Sequence, residues 1–162
     1  CFGQGEITML RPEILTAEAF APFGDVIEAR PDSAVEINAG YTTRFHALAQ
    51  VQTDDAAIIS IFRGRPRALE AAMLECHPLG SQAFVPLGGQ AWLAVVAETP
   101  DASALRAFYC RGDQGVNYRA GVWHHPLLVL GAAQDFLIVD RAGRGPNLQE
   151  VFFDPVAIAP AP

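Results

Sequence analysis

The sequence predicts a mainly β domain, a sandwich or small barrel with one or two short helices, and three observations support this. Short runs rich in branched and aromatic residues recur along the chain, bounded by Gly, Pro, Asn or Asp. Only one segment, near the N-terminus, carries a clear helix start and stop. The 162 residues are 51% hydrophobic, with ten Phe, three Tyr and two Trp, which suffices for one domain with a packed core. Many short strands and few helices are the pattern of sheets that pack on one another or close on themselves.

The opening "CFGQGEIT" precedes Met9, so residues 1–8 are set apart as an added leader and a single domain is assigned to residues 9–162. From Thr16, "TAEAFAPFGDVIEA" reads as a short helix with Thr16 as N-cap, ended by Pro22, Phe23 and Gly24 before a strand around residues 26–28. Strands then follow in "AAIISIF", "QAFVPL", "QAWLAVVAE", "LRAFYC", "VWHHPLLVL", "DFLIVDR" and "EVFF". One run is ambiguous. In "RALEAAMLECH", Leu69, Ala72, Met73 and Cys76 follow the helical spacing, and a helix there would send Glu75 and His77 to nearly opposite sides. A strand would put both on one face. No internal repeat or linker is evident, and the Pro/Ala-rich tail after Pro155 is expected on the surface.

Charge and cysteines narrow the function. A net charge of -7 with scattered arginines makes no basic stripe, which excludes nucleic acid and an anionic membrane as partners. Cys1, Cys76 and Cys110 form a sparse odd set without CxxC spacing, as expected of reduced, buried thiols in a cytoplasmic protein. No apolar run reaches the length of a membrane span.

Four histidines, His46, His77, His124 and His125, stand in or beside strand-like runs. In "GVWHHPLLVL" the adjacent pair must point to opposite faces of a strand, so one of the two is expected to face a site. Glu75 and His77 are two apart, Gln82 follows at five residues, and His124 comes from a distant strand. Nitrogen and oxygen donors converging from separate strands suit a divalent transition metal. In "INAGYTTRFHALA", Arg44 and His46 share a strand face, a cation beside a titratable ring, suited to an anionic substrate or else a solvated edge. Arg63 ends an apolar strand as a second candidate carboxylate clamp, with Arg65 and Arg67 expected in solvent. Asp140 and Arg141 read as an ion pair at a barrel mouth.

These segments resemble the ureidoglycolate lyase family of allantoin degradation, formerly called ureidoglycolate hydrolases, from about Leu15 to Arg141. The likeness rests on "AFAPFGDVIE", "INAGYTTRFHALA", "ISIFRGRP", "ECHPLGSQAFVPL", "LRAFYCRGDQGVNYRAGVWHHPL" and "DFLIVDRAG". It implies a cupin-like double-stranded β-barrel, or jelly roll, and makes "AAMLECH" a strand. Of the general cupin motifs, HxHxxxxE falls on Glu75, His77 and Gln82, and PxGxxH on Arg119, Gly121 and His124. The resemblance implies cleavage of (S)-ureidoglycolate to glyoxylate and urea, a divalent metal (nickel in that family) on Glu75, His77, Gln82 and His124, and no organic cofactor. It further assigns substrate carboxylate binding to Arg44 and Arg63, proton transfer to His46 and His124, and contacts to the ureido group or metal to Asn38, Tyr118 and Gln82. A homodimer covering strands such as "QAWLAVVAE" is expected, with His125 in the interface or an outer layer with Trp123. The alternatives are another cupin metalloenzyme, an isomerase or an amidohydrolase releasing ammonia, and a non-catalytic barrel that binds small acids.

Overall fold

The computed structural model describes residues 9–162; Cys1 and the leader assigned to residues 1–8 lie outside them. After β1 (Glu13–Ile14) comes the one α-helix, α1 (Ala17–Phe20), whose Thr16 hydroxyl accepts the Ala19 N–H at 3.1 Å as the sequence predicts. The chain continues through β2 (Gly24–Ile27), β3 (Ala34–Ile37), β4 (Thr42–Phe45), β5 (Ala56–Gly64), β6 (Glu70–Cys76), β7 (Gln82–Pro86) and β8 (Trp92–Ala97). It ends with β9 (Leu105–Cys110), β10 (Gly115–Tyr118), β11 (Trp123–His124), β12 (Leu128–Val129), β13 (Gln134–Ala142) and β14 (Gln149–Ala157).

Two sheets face each other in the expected cupin-like barrel. One runs β1-β9-β8-β11-β6-β14, with β12 also on β8; the other runs β2-β10-β7-β13-β5. Between them lies an inner core in which Trp92, Ala94, Val96 and Phe108 of the first sheet meet Phe84, Val116, Phe136 and Ile138 of the second. Trp92 and Phe136 touch edge to face, 5.2 Å between centroids. A second cluster, with Leu93, Val95, Ala107, Leu128 and Ile158, covers the outer face of the first sheet. Strand β8 is therefore apolar at every position because both of its faces are buried.

Several expectations change. "QAWLAVVAE" is not an exposed strand awaiting a partner, since β8 is central, between β9 and β11. The exposed apolar strand is β5, at a sheet edge, with Ile59 and Ile61 73% and 55% exposed. Nor does the tail after Pro155 lie free. Val156 and Ala157 pair with Ala71 and Glu70, and Ile158 is buried beside Leu10. "RALEAAMLECH" forms a strand, as the family resemblance implies: Glu70–Cys76 is hydrogen-bonded to β14, and tertiary pairing overrides its helical spacing. "VWHHPLLVL" breaks into β11 and β12 at Pro126, which cannot donate to a ladder. Arg141 pairs with Asp54 instead of Asp140.

Gly24 marks the closest backbone approach in the wall. It pairs with Tyr118, and a Cβ there would stand 1.8 Å from the Asn117 carbonyl oxygen. Gly24→Ala is expected to cost at least about 3 kcal/mol, read from the urea midpoint; an unchanged midpoint would refute this approach of β2 to β10.

Candidate active site

The site is built from strand register. His124 of β11 lies directly opposite Glu75 of β6, so their side chains share a face, and His77, two residues on, joins them. His124 Nε2 is 3.5 Å and His77 Nε2 4.0 Å from Glu75 Oε1, with the two rings 5.3 Å apart. From the facing sheet, Tyr118 stacks on His124 at 4.3 Å and 9°, and Gln82, paired with Tyr118, lines the same cavity as Glu75.

The hydrogen-bond pattern fixes the ring tautomers. His77 Nδ1 donates to the Asn147 carbonyl at 2.8 Å and His124 Nδ1 to the Val122 carbonyl at 3.2 Å, since a carbonyl only accepts. In the neutral rings each Nε2 is then an unprotonated acceptor, and both are buried without a partner, as is Gln82 Oε1. Gln82 Nε2 donates to Asp140 Oδ2 at 3.1 Å, leaving Oε1 as the free end of the amide. Buried lone pairs of this kind facing a carboxylate are costly unless a cation or proton stands among them. Glu75, His77 and His124 offer donor atoms within 4.8 Å of one another, and backbone carbonyls hold the far ring nitrogens as in metal-bound histidines. The chemistry fits a divalent cation. The neighbouring His124 chiefly holds the Glu75 carboxyl below its usual range, against the raising effect of burial. Burial pushes the Tyr118 phenol well up, so it stays protonated.

A cavity of about 480 Å³ opens on Glu75 and Gln82, with Phe62, Phe84, Pro126 and Leu127 as apolar walls and Arg63, Arg65 and Arg67 completing its polar lining. Another, of about 500 Å³, lies on residues 47–52 beside Asp25, Asn117 and Arg119 and contains none of the clustered donors.

Other expected residues lie elsewhere. Arg44 is exposed on β4, which with β3 forms a separate two-stranded sheet, and His46 lies beyond the strand end, also exposed, before Ala47 at φ 51. The His46 N–H still bonds the Ser33 carbonyl across the hairpin at 3.4 Å, so the chain turns only after His46. Asn38 is in the hairpin turn, bonded to Thr42 Oγ1 at 3.2 Å. None of the three lines the cavity over Glu75. Arg63 reaches the rim, but its guanidinium is held by Asp135 at 2.8 and 3.2 Å. His125 is buried and bonded to the Pro126 carbonyl, while Trp123 joins the outer cluster. Cys76 and Cys110 are buried free thiols, their pKa values raised by burial. Arg65 and Arg67 are exposed as expected, and what sequence reasoning missed is that they line the mouth; it also missed Asp140 beside Gln82. The two-residue period through Phe136 and Ile138, both in the inner core, carries Asp140 to the inner face and was the signal for it.

A family model described as ureidoglycolate lyase matches residues 7–159. The chain is 56% identical over 149 residues to a ureidoglycolate lyase of Pseudomonas syringae pv. syringae (strain B728a), covering 87% of this chain and 88% of that one. It is 53% identical over 159 residues to a ureidoglycolate lyase of Brucella melitensis biotype 2 (strain ATCC 23457), covering 94% of each. A solved structure of a mutant Bacillus subtilis oxalate decarboxylase is similar at a TM-score of 0.41 and 15% identity, over 88% of this chain and 29% of that one.

Metal-free protein is expected to take up one divalent ion per chain, with a matching rise in Tm, and His124→Ala to lose at least about tenfold in affinity. Calorimetric titration with Ni²⁺ checks this; equal uptake by the variant would show that His124 is not a ligand.

Proposed function

The chain belongs to the ureidoglycolate lyase family, and we propose that it cleaves (S)-ureidoglycolate to glyoxylate and urea in the cavity that opens on Glu75 and Gln82. The observation that carries this reading is the buried trio of unpartnered acceptors, His77 Nε2, His124 Nε2 and Gln82 Oε1, around the Glu75 carboxylate, with Glu75 and Gln82 lining a substrate-sized opening.

His77, His124 and Gln82, with Glu75, would hold a divalent ion, nickel by the family likeness. When bound, such an ion draws electron density from substrate oxygens and lowers the hydroxyl pKa. The chain's own groups do the rest. Glu75 accepts the substrate hydroxyl proton as that oxygen becomes the glyoxylate carbonyl and the carbon–nitrogen bond breaks. The same carboxyl returns the proton to the departing urea nitrogen, so atoms and charge balance. Asp140 acts through Gln82: by taking the amide N–H it turns Oε1 inward. Phe62, Phe84 and Leu127 exclude water from the ureido group.

The subunit arrangement is part of this proposal. The edge strand β5 exposes Ile59 and Ile61, and the β3–β4 hairpin exposes Val35 and Tyr41. A lone two-stranded hairpin is marginal in water, so a homodimer that covers these surfaces is the arrangement proposed. A cytoplasmic setting would keep its two buried thiols reduced.

Glyoxylate and urea are expected in equal amounts without ammonia; ammonia instead of urea would replace the lyase by an amidohydrolase. Glu75→Gln should lower kcat by about two to four orders of magnitude. Sedimentation equilibrium should give twice the chain mass, and a concentration-independent monomer would refute the homodimer.

A further inference from the structure

We propose that Arg65 and Arg67 are the carboxylate clamp that orients the substrate, a reading that rests on the ureidoglycolate assignment and specifies how the acid enters the site. The geometry begins at Gly64. β5 ends there, and a Cβ at Gly64 would meet Val129 Cγ1 at 2.7 Å, so the strand packs tightly on the barrel just before the chain leaves the sheet. Pro66 follows between the two arginines; it fixes its own φ and holds Arg65 extended. In an extended segment residues two apart point the same way, and both arginines line the cavity that holds Glu75 and Gln82.

Their charges are uncommitted. Among the described residues Arg63 is engaged by Asp135, Arg106 by Glu13, Arg111 by Glu28 and Asp113, and Arg141 by Asp54, whereas neither Arg65 nor Arg67 forms an ion pair.

Glu75 and Asp140 together carry enough negative charge to offset a divalent ion held on the inner donors, so the arginines at the mouth supply the remaining positive charge for an anionic substrate. Two guanidiniums at the rim hold the carboxylate outermost, leaving the hydroxyl and ureido groups to face Glu75. Glyoxylate keeps that carboxylate and urea lacks it, so the clamp binds one product and ignores the other.

Arg65→Ala and Arg67→Ala should each raise KM about tenfold or more, the double variant further, with kcat within about threefold of wild type. Lysine at either position should recover part of the loss. Competitive inhibition by glyoxylate should weaken in parallel while inhibition by urea stays unchanged. Arg111→Ala, which removes a cation remote from the cavity, serves as the charge control. Unchanged KM in both variants, or a fall in kcat alone, overturns the clamp. A wild type that releases no urea would instead overturn the lyase reading, and calorimetric binding of glyoxylate to wild type and variants would still decide the clamp.

Discussion

The pairing of His124 with Glu75 across β11 and β6 is the constraint on which the site depends. Antiparallel partners share a face, so this one register brings a ring from the two-residue strand after Gly121 over a carboxylate some fifty residues earlier in the chain. A slip by one residue would put Trp123 inside and His124 in the outer apolar cluster. The observed register is locked from both sides: Trp123 packs into that cluster, and Tyr118 of the opposite sheet lies flat on His124.

Around this pair the barrel divides by polarity. The interior away from the site is aromatic and aliphatic, with Trp92, Phe108 and Phe136 in one buried cluster and no charge among them. At the other end, β6, β7, β11 and β13 each send a polar side chain inward: Glu75, Gln82, His124 and Asp140. Backbone carbonyls orient the rings and Asp140 orients the amide, so the donors are aimed before any ligand arrives. The apolar core thus does more than stabilise: it holds the strands that position these groups rigid.

Much of this was legible in the chain. The strands at residues 56–64, 82–86, 92–97 and 105–110, the Thr16 cap and the grouping of Glu75, His77, Gln82 and His124 on the inner face follow from short-range pattern and from the family likeness. The misreadings have a common origin. Arg44 and His46 look like site residues, yet the hairpin that carries them is a sheet of its own and neither lines the cavity on Glu75. Arg65 and Arg67 are exposed, as charged residues flanking a proline usually are, and what went unread is that they also line the mouth. The tail reads as surface, yet Ile158 fills the outer cluster.

By itself the sequence determined the strand content, the apolar faces and the donors available for chemistry, because those depend on side-chain type and on a two-residue period that is local. Only the tertiary structure decided which edge is exposed, which arginines stand at the mouth and which carboxylate holds Gln82. Those facts depend on register between strands far apart in the chain, fixed by packing between sheets, and no local pattern encodes them.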